Sequence, residues 1–149
     1  LGDSVPKFTI NDANGNKVKS TDFKGKKHVI YFYPKDFTPG CSTQADEFST
    51  DYKKFQNKDI EIIGISPDDV DSHKKFCEKM GIKYVLLADT EKEVSKAFDV
   101  WSMKKFMGRE YMGVVRSTFL VNEKGKIFKI YSKVKAKGHA KQVLEDFTK

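Results

Sequence analysis

Two patterns of apolar residues alternate along this chain, and that alternation limits the fold more than any other feature. His28 to Tyr33 and Ile60 to Ser66 are short, nearly continuous apolar runs, as strands buried on both faces require. Pro34 ends the first run. Between the runs, Cys41, Ala45, Phe48, Tyr52 and Phe55 recur at spacings of 4, 3, 4 and 3, which predicts a helix over Cys41 to Phe55. Ser66-Pro67-Asp68-Asp69 then reads as a helix start, with the helix running from Val70 to Met80 and closing at Gly81. Tyr84 to Leu87 is a third strand and Glu91 to Phe98 a further helix. Ser117 to Asn122 and Lys126 to Tyr131 read as two strands joined at Glu123-Lys124-Gly125, and Gly138 to Phe147 as a closing helix. Residues 8–10 and 17–19 form a small hairpin around Asn14-Gly15, a strong tight-turn signal. The order β-α-β-α-β, then a hairpin and a helix, makes an α/β sandwich with a parallel first part and antiparallel additions. At 149 residues it is expected to be one domain, 1–149.

Composition excludes several function classes. No apolar run reaches the length of a membrane span, and the first ten residues lack the basic-then-apolar pattern of a signal peptide. The net charge is +7, but only Arg109 and Arg116 are arginines and no run of five like charges occurs. That pattern describes a lysine-solubilised surface better than a nucleic-acid reader. The two cysteines, Cys41 and Cys77, make neither a disulfide framework nor a C-x-x-C pair. Three scattered histidines show no metal-ligand spacing, so no metal is expected. Reduced thiols suggest the cytosol. Loss of a leader would leave the same chain in an organelle or nucleus.

The chemistry concentrates in Tyr33-Pro34-Lys35-Asp36-Phe37-Thr38-Pro39-Gly40-Cys41. A buried strand ends there, a Pro- and Gly-rich loop follows, and a cysteine opens a helix. Ligand sites of α/β folds lie beyond the carboxyl ends of strands, where this loop sits. Unpaired backbone N–H groups and the positive helix end favour a thiolate at Cys41. Thr38 offers a hydroxyl three residues before the sulfur, and Gly40 lets a small ligand approach the backbone. These residues alone describe a reactive cysteine.

The same residues resemble a family. Pro34-x-x-x-Thr38-x-x-Cys41 matches the peroxiredoxin active-site motif. Phe32-Tyr33-Pro34, continued by Thr38-Pro39-Gly40-Cys41-Ser42-Thr43-Gln44-Ala45, is similar to the PrxQ branch, also called bacterioferritin comigratory protein. A second block, running from Lys104-Lys105-Phe106-Met107-Gly108-Arg109 to Val115-Arg116-Ser117-Thr118-Phe119-Leu120-Val121, agrees with it. The resemblance implies a thioredoxin-like fold: a central mixed sheet flanked by helices, with an N-terminal β-hairpin. It implies a thiol peroxidase acting on hydrogen peroxide and small organic hydroperoxides, monomeric and without a cofactor. Cys41 is then the attacking cysteine. Thr38, Arg116, Cys41 and Gln44 would bind the peroxide, and Pro34 would shield the sulfur. A fixed guanidinium can stabilise a thiolate and hold peroxide oxygens. A hydroxyl and a backbone N–H can support the departing oxygen.

Many PrxQ members place a second cysteine five residues after the first; here that position is Asp46. Two routes stay open. Cys77 resolves the Cys41 sulfenic acid as an intramolecular disulfide that thioredoxin reduces, or an external thiol resolves a one-cysteine enzyme. The stripe His73, Phe76, Cys77 and Met80 also allows Cys77 to be core packing. Trp101 either lines the mouth of the peroxide pocket or covers the edge of the core. His28 and His139 receive no role, and Asp68-Asp69 is expected to cap a helix. Rival readings are a redox sensor that passes oxidation to a partner and a nucleic-acid-associated protein.

Overall fold

A computed structural model describes residues 4–106, 108–132, 134 and 138–147; Leu1 and Met107 of the second motif block lie outside the described residues. The element order is β1 (Thr9–Asp12), β2 (Lys17–Lys19), β3 (Lys27–Phe32), α1 (Pro39–Thr50), α2 (Tyr52–Asn57), β4 (Ile60–Ser66) and α3 (Val70–Met80). Then come β5 (Val85–Ala88), α4 (Glu93–Ala97), β6 (Trp101–Phe106), β7 (Arg109–Val114), β8 (Ser117–Val121), β9 (Ile127–Tyr131) and α5 (His139–Phe147). Seven strands form one sheet in the order β2-β1-β5-β4-β3-β8-β9. The inner strands β3, β4 and β5 are parallel, and β1, β8 and β9 join antiparallel. This is the expected mixed sheet, with the N-terminal hairpin at one edge.

Side chains on a strand alternate between faces, and β3 shows why its apolar run is unbroken. Val29, Tyr31 and Tyr33 enter one core cluster with Phe48, Phe55, Phe76 and Val143 from the helices. Ile30 and Phe32 enter a second cluster on the opposite face with Val94, Phe98 and Phe119. Gly64 in β4 belongs to this packing. A Cβ there would fall 2.7 Å from Leu86 Cδ2 and 2.9 Å from Tyr31 Cζ. Overpacking of that kind costs roughly 1–3 kcal/mol.

Two elements differ from the sequence expectation. The helix expected over Cys41 to Phe55 is two helices, α1 and α2, parted at Asp51 with φ −91° and ψ 6°. It also starts at Pro39, which makes Cys41 its third residue. Proline is well suited there because the first helical N–H groups have no intrahelical acceptor. The second difference is β6 and β7, a separate two-stranded sheet where no strand was expected. Among the described residues, no helix is long and apolar enough to cross a membrane.

Candidate active site

The site is assembled at the carboxyl end of β3. Tyr33 N–H still bonds to Ile65 C=O at 3.0 Å, and the chain then leaves the sheet through Pro34 to Thr38. Thr38 is extended at φ −82°, ψ 152°, and its carbonyl accepts the Ser42 N–H at 2.8 Å, closing the first turn of α1. Cys41 stands in that turn with only 2% of its surface exposed. Its N–H is in the set that lacks an intrahelical partner.

Arg116 reaches this sulfur from the short link between β7 and β8. Its Nη2 donates to Cys41 Sγ at 3.2 Å and its Nη1 to Gln44 Oε1 at 2.7 Å. Cys41 and Gln44 are three residues apart on α1, so both face the same way. The planar fork of the guanidinium spans them, which a point-charge ammonium would not do. Gly40 makes room: a Cβ there would lie 3.0 Å from Arg116 Nη2. The close approach Gly40 permits is therefore to the guanidinium as well as to any ligand. Gln44 is fully buried, and its Nε2 has no partner among the described residues.

The structure brings Cys41, Arg116 and Gln44 together and leaves Thr38 and Pro34 on the loop beside them. Thr38 Oγ1 donates to Lys35 C=O at 2.9 Å. Its hydrogen thus secures the loop, and its lone pairs are what it can offer a ligand. Pro34 is half-buried. Lys104 of β6 is a further cation that the sequence reading passed over. Its Nζ donates to Val114 C=O at 3.0 Å. Burial and the Arg116 charge lower its pKa, and Cys41 opposes them. Its place in the second motif block was the available signal.

The loop is also tied inward through Asp36, which received no role above. Asp36 is buried; it accepts from Tyr33 Oη at 2.6 Å, from Ser72 Oγ at 2.8 Å and from His73 Nδ1 at 2.7 Å. Asp36 N–H donates to Asp68 Oδ2 at 2.8 Å, which also accepts Ser66 Oγ at 2.7 Å. Asp69 alone caps α3, accepting Ser72 N–H at 2.8 Å, so the expected capping pair is one cap and one loop clamp. Tyr33 stays protonated as the donor, its pKa pushed well above 10 by burial and by the Asp36 charge. Asp36, Asp68 and His73 hold ligand atoms within 4.8 Å of one another. Hydrogen bonds from Tyr33, Ser72, Ser66 and the Asp36 N–H already engage them, so the cluster reads as a polar clamp. Phe37, next in the loop, sits at φ +66°, a conformation that costs a bulky side chain of order 1–2 kcal/mol.

Cys77 lies on α3, half-buried against the same core cluster that contains Cys41. Burial, then the charges of Asp36, Asp12 and Glu78, push its thiol up to about 11. It lines a cleft of about 310 Å³ with Asp12, Lys74, Ile82 and Tyr84. Both cysteines are free thiols. Trp101 packs against the second cluster, on the sheet face opposite to Cys41's cluster, which favours its role as a core edge. His139 Nε2 meets Thr118 Oγ1 at 2.8 Å, and burial, with a smaller push from Arg116, lowers its pKa to about 4. His28 is lowered by burial and meets Lys26 C=O at 2.9 Å.

Residues 1–130 match the AhpC/TSA family. The chain is 45% identical over 145 residues to peroxiredoxin Bcp of Bacillus subtilis, covering 97% of this chain and 92% of that one. It is 37% identical over 143 residues to peroxiredoxin Bcp of Escherichia coli, covering 96% and 92%. Among solved structures, a mutant of Xylella fastidiosa PrxQ superposes with a TM-score of 0.94 at 33% identity, covering 99% and 94%. Xanthomonas campestris bacterioferritin comigratory protein, described for alkyl peroxide reduction, superposes with a TM-score of 0.90 at 35% identity, covering 95% and 90%.

Proposed function

This chain belongs to the AhpC/TSA family, in its PrxQ/Bcp peroxiredoxins, and from that premise we propose how its own residues carry out the thiol peroxidase reaction. The family membership makes it a thiol peroxidase with a thioredoxin-like fold, a peroxide substrate and a thiol reductant. In our reading the Cys41 thiolate attacks one peroxide oxygen. The O–O bond breaks, the other oxygen leaves with the electron pair and takes up a proton, and Cys41 becomes a sulfenic acid. Arg116 holds the thiolate and the polarised O–O bond, with Gln44 fixing the guanidinium from behind. The Cys41 N–H donates to the peroxide, Thr38 Oγ1 accepts a hydrogen bond from the peroxide O–H, and Pro34 limits water at the sulfur. One observation carries this: the two-armed Arg116 contact that joins Cys41 Sγ to Gln44 Oε1.

Resolution then falls to Cys77. The Cys77 sulfur attacks the sulfenic sulfur, a disulfide forms and water leaves. An external dithiol of the thioredoxin type restores both thiols. Small organic hydroperoxides are included because the Xanthomonas relative is described for alkyl peroxide reduction. The thiol of Cys77 is held up at about 11, however, which disfavours the nucleophile as long as its surroundings stay in place. That observation keeps a second reading alive, in which an external thiol resolves Cys41.

Intact-mass analysis with peptide mapping, after one equivalent of peroxide on reduced protein, separates them. Loss of two hydrogens with Cys41 and Cys77 in one linked peptide is the expected result. Oxygen gained on Cys41 alone would transfer resolution to an external thiol. No change at either cysteine would remove the assignment of Cys41.

A further inference from the structure

The Asp36 cluster joins the two halves of the thiol cycle without touching the peroxide. Asp36 lies in the loop five residues before Cys41, and His73 lies one turn before Cys77 on α3. The Asp36 carboxylate accepts three bonds, two of them from α3 through Ser72 and His73. His73 passes the tie onward, since its Nε2 meets Leu87 C=O of β5 at 2.8 Å. The His73 ring thus sits between two oxygens, the Asp36 carboxylate and the Leu87 carbonyl. Phe37 adds an apolar tie: its ring meets Phe76 of α3 edge-on at 5.1 Å, under Lys79 Nζ at 5.7 Å. Its positive φ stores backbone strain in the tied loop.

We propose that Asp36 and His73 form a latch that holds the Cys41 loop and the Cys77 helix in the peroxide-reducing arrangement, and that its release sets how fast the sulfenic acid condenses with Cys77. The proposal deepens the reading in which Cys77 resolves. Asp36 and His73 are positioning residues. A disulfide requires the two Cα atoms within roughly 7 Å, and Cys41 is fixed in a helical turn by Arg116. In this proposal one of the two segments yields for the sulfurs to meet, and the latch is what binds them to each other. A buried carboxylate held by three donors is a suitable catch, because losing its partners exposes it to the full desolvation penalty and favours release as one event. Release also takes Cys77 away from the Asp36 charge and from burial, the two largest causes that hold it as a thiol.

The test is Asp36→Asn in the full chain, with two readouts. Amide hydrogen exchange of the reduced protein should rise about tenfold in residues 36–42 and 72–78 together, the factor implied by losing one charge-assisted hydrogen bond. Stopped-flow and quenched mass analysis should show condensation about tenfold faster and less Cys41 sulfinate at a given peroxide dose. Peroxide consumption in the first turnover should stay within about twofold, because the closed arrangement remains the main one. A merely structural Asp36 would lower thermal stability without changing this partition. Unchanged exchange and condensation in a folded variant, or exchange that rises in the loop alone, would overturn the latch. If Asp36→Asn does not fold, Tyr33→Phe and Ser72→Ala each remove one donor to the same carboxylate. Both should shift the partition in the same direction by less, and no shift in either overturns the proposal. If the unsubstituted protein forms no Cys41–Cys77 peptide, the resolving role fails, while the exchange data still decide whether the loop and α3 open together.

Discussion

Cys41 and Cys77 are the same residue type in one core cluster, yet their surroundings are electrostatically opposite. Cys41 occupies the first turn of α1, the positive end of that helix, and the Arg116 guanidinium lies 3.2 Å from its sulfur. Cys77 occupies the last turn of α3, the negative end of that helix. Burial, then the negative charges of Asp36, Asp12 and Glu78, holds its thiol up at about 11. In the proposed cycle the sulfur that attacks is thus prepared before peroxide arrives, and the sulfur proposed to resolve it is restrained. A peroxidase of this kind gains from that asymmetry, because a Cys77 thiolate in the resting protein would itself be open to oxidation.

The largest expected effect comes from removing the cation that creates the contrast. Arg116→Met should slow attack on peroxide by about 10²–10³-fold, as loss of one pre-placed donor at a developing charge does. Arg116→Lys keeps the charge but cannot span Cys41 and Gln44, and should fall between. Stopped-flow measurement of the first turnover checks both. An Arg116→Lys rate equal to that of the unsubstituted protein would show that charge alone matters and that the fork to Gln44 does not.

Next in size is the pH dependence of Cys77. With its pKa near 11, the thiolate fraction rises as pH rises, by about tenfold per unit between pH 7 and 10. Alkylation of Cys77, followed by peptide mapping of the reduced protein, should climb with that slope and show no plateau below pH 10. A plateau near pH 8.5 would mean that neither burial nor the anionic neighbours have a hold on it, and the contrast would collapse to Arg116 alone.

Gln44 tests the contrast from the other side. A neutral amide holds Arg116 without cancelling its charge. Gln44→Glu would place a carboxylate on the guanidinium and make the surroundings of Cys41 more like those of Cys77. Attack on peroxide at pH 7 should slow about tenfold, the size of a new charge interaction at partly screened distance, and recover as pH rises. Equal rates across pH would mean that Gln44 only packs.

How much of this was legible beforehand depends on whether a feature is local. The unbroken apolar runs of β3 and β4 followed directly from burial on both faces. The start of α3 was written in Ser66-Pro67-Asp68-Asp69, and Asp69 does cap it. The break between α1 and α2 was hidden, because Tyr52 and Phe55 continue the stripe of Cys41, Ala45 and Phe48 across Asp51. The β6–β7 pair was hidden for a different reason. Its outer residues, such as Met103, Tyr111 and Met112, are exposed, so no buried face imposes an alternation. At the site, the two motif blocks singled out Cys41, Thr38 and Arg116 one by one. Joining Arg116 to Gln44 across 72 positions, or Asp36 to His73 across 37, needs the folded chain.

The smallest effect isolates one anion. Glu78 follows Cys77 and is the last of the three charges that raise its thiol. Glu78→Gln removes a negative neighbour, so the Cys77 thiolate becomes easier to form and its pKa moves down. On a solvent-facing residue such a change is worth a few tenths of a unit, or about a twofold rise in Cys77 alkylation at fixed pH. Attack by Cys41 on peroxide should stay unchanged, because Arg116 and the start of α1 dominate there. If the resolving step is limited by the chemistry of Cys77, condensation should quicken by the same twofold. If it is limited by opening of the Asp36–His73 latch, condensation should not change, because the opening precedes the attack. One exposed substitution therefore tells whether the restraint on Cys77 is electrostatic at the sulfur or mechanical at the loop.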